Sequence, residues 1–153
     1  MGTRSTYRFI EKGVYEGKPR ENNFVLVYMM YDGYPDGHPL DTAKWLARGK
    51  MVNGIGMQDT GLLFNGVGCL AAQFIARYKN GAGGTYIYPM SHRCKAGENY
   101  VYDIVVDETQ KITMVAYENH TGYDNGPVKV KKLFEGSPEE FISKFEKKVE
   151  VEE

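Results

Sequence analysis

Over residues 3–10 polar and apolar positions alternate, with Tyr7 and Phe9 on one side and Arg4, Thr6 and Arg8 on the other. That is the period of a half-buried strand. Residues 11–23 are polar and contain Gly13, Gly17 and Pro19, which predicts a hairpin loop. From Phe24 to Tyr31 the chain is apolar on both faces and rich in β-formers, predicting a central strand. A short helix is predicted over 40–48, with Pro39 suited to its first turn and Gly49 stopping it. Residues 50–64 show no period and carry Gly54, Gly56 and Gly61, so they read as loop.

The clearest helix comes next. Val67, Leu70, Ala71, Phe74, Ile75 and Tyr78 recur at helical spacing and make a continuous apolar stripe. Strands are predicted over 85–89, over 100–106 with Tyr100, Tyr102, Ile104 and Val106 on one face, and over 111–117 after a turn at 107–110. Residues 127–134 alternate Val and Lys and resemble a lysine-protected sheet edge. Ser137-Pro138-Glu139-Glu140 has the pattern of a capping box opening a last helix, whose stripe is Phe141, Ile142, Phe145 and Val149. Together these predict an α+β domain with a mostly antiparallel sheet of about five to six strands, two central helices and a C-terminal helix. One domain is expected over 1–153, with 149–153 as a frayed acidic tail.

Composition narrows the function. The chain has 153 residues, 42% hydrophobic and 25% charged, and a net charge of −1. No general positive field is present to drive binding to a phosphate backbone, which argues against a nucleic-acid partner. The N-terminal residues lack a signal-peptide core and no run approaches the ~18 apolar residues of a membrane helix, so a cytoplasmic protein with no membrane partner is expected. Cys69 and Cys94 fit a reducing compartment, and neither stands at zinc-ligand spacing. No metal and no cofactor are expected.

Chemistry-bearing residues gather in three places. The loop Tyr31-Asp32-Gly33-Tyr34-Pro35-Asp36-Gly37-His38 holds two carboxylates, an imidazole and two phenols, more than a turn requires. An acid and an imidazole there could orient a polar ligand while Tyr31 or Tyr34 stacks on it, and Asp32 with His38 forms the alternative acid–base pair of a small hydrolase. The same residues serve equally as Asx turns and a helix cap. Asn65-Gly66-Val67-Gly68 opens the long helix with unhindered amides that suit an anion, or with Asn65 acting only as its cap. Cys69 lies in the first turn of that helix, where the dipole lowers a thiol pKa, although a small packed residue is the simpler use. Gln73 on the helix's other face and Tyr86 after the glycine run 81–84 could complete a pocket for a base-bearing ligand. His38, His92 and His120 could share a metal only if the fold gathered them.

These segments also carry a resemblance. Met1-Gly2-Thr3-Arg4-Ser5, Tyr31-Asp32-Gly33-Tyr34-Pro35 with Gly37-His38, Asn65-Gly66-Val67-Gly68-Cys69-Leu70-Ala71-Ala72-Gln73, Gly83-Gly84-Thr85-Tyr86 and Phe134-Glu135-Gly136-Ser137-Pro138-Glu139-Glu140-Phe141 resemble, in order, a family of small uncharacterised proteins encoded by tailed phages and prophages. Arg4 matches that pattern. The chain departs from it in having Met29 or Met30 where the family shows a basic residue, and Pro39 where it shows glycine. The resemblance implies a phage accessory protein acting in the host cytoplasm against host defence. The residues themselves favour a phosphate-bearing, nucleotide-type small molecule as ligand, held by Arg4, Tyr31, Asp32, Tyr34, His38, Asn65, Gly66, Gly68, Gln73 and Tyr86, of which Arg4, Asp32, Tyr34, His38, Asn65, Gly66 and Gln73 are expected to converge on one concave surface. The alternative is an inhibitor that binds a host defence protein, and a homo-oligomer fits either.

Overall fold

A computed structural model describes residues 2–57, 59–121 and 127–146. Its elements are β1 (Ser5–Tyr15), β2 (Lys18–Met29), α1 (His38–Arg48), β3 (Lys50–Val52), β4 (Leu63–Asn65), α2 (Val67–Tyr78), β5 (Thr85–Tyr88), a short 3-10 turn (Met90–His92), β6 (Tyr100–Val106), β7 (Ile112–Asn119), β8 (Val130–Gly136) and α3 (Pro138–Phe145). Six strands form one sheet in the order β5-β2-β1-β6-β7-β8, while β3 and β4 make a small parallel pair. Within the large sheet β1 and β6 run parallel and the other neighbours antiparallel. The architecture is α+β, as the periodicities predict.

Tyr7, Phe9, Val27, Met29, Tyr102, Ile104, Met114 and Ala116 project from one face of this sheet into a core completed by Leu46 and Trp45 of α1, Leu70 and Phe74 of α2, and Phe141 of α3. α2 lies over β1 and β2, and α3 packs against α1 and over β7 and β8. The capping box of α3 is complete, Ser137 Oγ accepting from the Glu140 amide and the Glu140 carboxylate accepting from the Ser137 amide. Val149 and the expected tail at 149–153 lie outside the described residues.

Two expectations are corrected. Residues 11–23 are not a loop: β1 and β2 continue through them as a long ribbon, in register from Glu11↔Asn22 to Tyr15↔Lys18. Only Glu16 and Gly17 turn, both at positive φ (51° and 75°), the geometry of a two-residue turn matched to strand twist. The ribbon's polar residues reflect solvent on both faces rather than lack of structure. Within 50–64, the three-residue strands β3 and β4 are too short to show a period.

The opposite face of the sheet is covered by the segment 89–99. Glu98, only 2% exposed, fixes it, accepting hydrogen bonds from Thr6 Oγ1 (2.7 Å), the amides of Cys94 and Ala96, and Asn119 Nδ2. Beside it, Arg8 grips the buried Asp103 through two nitrogens and Arg93 reaches it at 3.0 Å. A buried carboxylate is tolerated only with this density of donors.

Candidate functional site

The loop 31–38 leads from β2 into α1 and closes over the start of β1. Gly33 donates its amide to Thr3 O, Tyr102 Oη donates to Gly33 O at 2.6 Å, and the His38 amide donates to Asp32 O. Asp32 sits at φ 57°, a conformation Asp accepts more readily than most residues. Gly37 must be glycine, since a Cβ there would overlap the Asp32 carbonyl. Gly37→Ala is therefore expected to cost about 1–3 kcal/mol, as overpacking does; an unchanged urea midpoint would show that the loop simply shifts.

His38 is the first residue of α1, and its ring turns inward. Nδ1 stands 2.6 Å from the Tyr7 hydroxyl and Nε2 3.4 Å from Ser5 Oγ. Tyr7 and Ser5 are fully buried. Burial pushes the Tyr7 phenol well above its ordinary value, so it keeps its proton. The neutral imidazole carries a single proton, so one ring nitrogen donates and the other accepts across these two contacts. Burial also lowers the His38 pKa to about 4, against the opposing pull of Asp32 and Asp41.

A second set of polar contacts continues alongside, between the helices. The Tyr78 hydroxyl, at the end of α2, lies 2.7 Å from Asp41 Oδ2, 2.8 Å from Thr42 Oγ1 and 3.5 Å from His38 O. A carboxylate only accepts, so Tyr78 donates to Asp41 and Thr42 donates to Tyr78. Burial, with Asp41 alongside, raises the Tyr78 phenol to about 12. For Asp41 burial works upward, but the Tyr78 hydroxyl and Arg77, 3.2 Å away, hold the carboxyl below its usual value. These side chains tie β1, α1 and α2 together. A hydrolytic role for His38 has little to work with: both ring nitrogens have protein partners, and the one near a serine faces a residue with no exposure. The Asp32 carboxylate instead accepts from Tyr34 Oη at 3.3 Å.

The expected site residues do not converge on one surface. Tyr31, Asp32 and Tyr34 lie exposed on the outside of the loop, and His38 lies beneath it. By strand alternation Arg4 falls on the side of Thr6 and Arg8, opposite Ser5 and Tyr7, while its backbone pairs with Asn99. Gln73 bridges within its own neighbourhood, donating to Leu63 O and accepting from the exposed Cys69 thiol. Tyr86 is on β5, with Lys79 Nζ 5.5 Å from its ring. Asn65 is not the cap of α2: it ends β4 and accepts from the Gly54 amide, and Gly66 at φ 84° is the N-cap. The three histidines are separate, His120 paired with Glu118 and His92 edge-on to Tyr88. Among the described residues no group of three or more His, Cys, Asp and Glu could hold a metal ion.

Gly66 and Val67 instead help line a hollow of about 290 Å³ at the other end of β1, roughly 25 Å from Ser5 by strand rise. Glu11 to Val14 form one wall, Met51 to Asn53 another, and Val106 to Glu108 with Gln110 a third. α2 starts at its rim with no side-chain cap. Leu70 reaches back to Gly66 O, whereas the amides of Val67, Gly68 and Cys69 come too early in the helix for an intrahelical partner. Lys12 supplies a cation, and Glu11, Asp107 and Glu108 supply carboxylates. Asp107 is engaged in its own turn, accepting from Thr109 and Lys111, which holds its pKa down. Of this hollow only the helix start at Gly66 and Val67 was legible in the sequence; its walls were not, because they are assembled from a ribbon that reads as loop and a three-residue strand.

No family model matches the chain, and no curated protein or solved structure matches it either. No helix among the described residues is long and apolar enough to cross a membrane.

Proposed function

We propose that the protein binds and sequesters a small phosphate-bearing molecule of nucleotide type, in the hollow at the start of α2 rather than at the 31–38 loop. The observation that carries this reading is the uncapped N-terminus of α2 opening, beside Lys12, onto a cavity about 290 Å³ in volume. Amides and a lysine at one end favour a phosphate. Glu11 and Glu108 oppose an anion there but accept hydrogen bonds well, which suits the hydroxyls of a ribose. The volume is at the lower end for small-molecule sites and favours a mononucleotide over a larger signal. In the phage context the resemblance suggests, such a protein removes a nucleotide messenger from the host cytoplasm without cleaving it.

Calorimetric titration with a panel of mononucleotides, ribose 5-phosphate and inorganic phosphate tests this. We expect stoichiometric binding of at least one nucleotide, recovered unchanged after heat denaturation. Lys12→Glu should weaken it about 10- to 100-fold, the range of a lost charge-assisted contact, with no change in melting temperature. Arg4→Ala should leave affinity intact, since Arg4 lies at the other end of β1. No binding across the panel would overturn the reading and favour the inhibitor of a host protein; a new product peak that vanishes in Asp32→Asn or His38→Ala would favour the hydrolase.

A further inference from the structure

Among the described residues β8 has a strand on one side only, and the ladder shows which of its backbone groups face away. Lys129, just before it, turns both groups toward β7, its amide donating to Thr121 Oγ1 and its carbonyl accepting from the His120 amide. Successive residues alternate from there, through the register Val130↔Asn119, Lys131↔Glu118 and Lys132↔Tyr117. The N–H and C=O of Val130 and Lys132 therefore point outward. Val128 and Val130 are exposed, and the ion pairs among the described residues include Lys132, with Glu135, but neither Lys129 nor Lys131. One segment of the chain matches this edge. α3 ends at Phe145, whose ring lies 5.9 Å from that of Phe134, while Lys144 Nζ donates to Leu133 O, so the chain leaves the helix beside β8. Beyond Glu146 the sequence reads Lys147-Lys148-Val149-Glu150-Val151-Glu152-Glu153. Its Val-Glu alternation has the period of a strand, and its charge is opposite to that of Val128-Lys129-Val130-Lys131.

We propose that residues 149–152 pair antiparallel with β8 of the same chain, as a further strand that covers this open edge. The tether selects the occupant and its direction. α3 folds back from the end of β8 at Gly136 to the level of Leu133, and a chain continuing that way runs opposite to β8. From Phe145 to Val149 four residues reach about 13 Å, enough to pass from the helix layer to the strand position beside Lys132. A segment so attached is present at its edge at an effective concentration on the order of millimolar, above that of any segment from another chain in dilute solution. The open groups then set the register. Val130 and Lys132 exchange hydrogen bonds with Val151 and Val149, which places Glu150 opposite Lys131 and Glu152 opposite Lys129 at the closer, non-hydrogen-bonded positions. A slip of two residues one way would oppose Lys148 to Lys131, and the other way would set Glu150 against Leu133, where the ladder to β7 is irregular.

Amide hydrogen exchange followed by NMR tests this. In the wild type at low salt the amides of Val130, Lys132, Val149 and Val151 should exchange about tenfold or more slowly than in the double variant Glu150→Lys, Glu152→Lys, while the amides of α2 exchange alike in both. Adding Lys129→Glu and Lys131→Glu to that variant should restore the protection, because both charge pairs are then reversed. In a Cys69→Ser background, Lys131→Cys with Glu150→Cys should oxidise to a disulfide within one chain, at the 17.3 kDa chain mass, whereas Lys131→Cys with Val151→Cys should not, a test that does not depend on the charge variants folding. Equal exchange at Val130 and Lys132 in the wild type and the folded Glu150→Lys, Glu152→Lys variant, equal oxidation of the two cysteine pairs, or a disulfide formed only between two chains would each overturn the proposal, the last by assigning the edge to a second copy.

Discussion

Phe74→Ala is expected to destabilise the protein by about 3–5 kcal/mol, the range for deleting a buried aromatic ring. For a chain of this length that lowers the thermal midpoint by roughly 10 °C or more. Phe74 is fully buried at the crossing of α2 over the sheet, with ring centroids 4.7 Å from Tyr7, 5.2 Å from Phe9 and 4.9 Å from Tyr78. Removing it leaves a void that rigid sheet residues cannot close, and it loosens the two phenols that hold His38 and Asp41. The loss should therefore not add to that of Tyr7→Phe. A double-mutant cycle by urea denaturation, with exposed Val14→Ala as a control changing stability by under about 0.5 kcal/mol, measures the coupling. A Phe74→Ala midpoint within error of wild type would mean that the core collapses around the gap.

Phe74 also marks what the sequence made legible. Its place in α2 is visible because a 3.6-residue period repeated over twelve residues has few other readings. β6 and the capping box at Ser137 and Glu140 are visible for similar reasons: alternation and cap chemistry are local. The long ribbon of β1 and β2 is not, because strands solvated on both faces lose the alternation that identifies them, although Glu16-Gly17 carried a turn signal. The 31–38 loop shows the sharper limit. Its surplus of aromatics and acids suggested a ligand, yet the groups that engage His38 come from Ser5 and Tyr7 on β1, and no spacing in the chain announces that pairing. Likewise Asp41, Thr42 and Tyr78 meet only because α1 and α2 pack side by side. Glu98 and Asp103 gave no signal either, since a buried carboxylate looks like any other until its donors are in place.

Mild acid should weaken the fold through His38. Its pKa in the folded protein is about 4, against 6.5 when unfolded, because burial of the ring disfavours its charged form, outweighing the opposing pull of Asp32 and Asp41. Between these two values the unfolded chain binds a proton that the folded chain refuses, so stability falls as pH drops through that window and is fully present above it. The difference amounts to roughly 3 kcal/mol once developed near pH 4. Asp41 contributes in the same direction but lower, below the ordinary carboxylate range, because its folded pKa is depressed. The interval from about pH 6.5 to 4.5 should thus be governed by the imidazole. Urea midpoints across that interval should decline in the wild type and stay nearly level in His38→Gln, which cannot gain a proton there, even if the variant starts from lower stability at pH 7. An equal decline in both proteins would place the acid sensitivity elsewhere and would mean that His38 becomes charged without leaving its contacts with Tyr7 and Ser5.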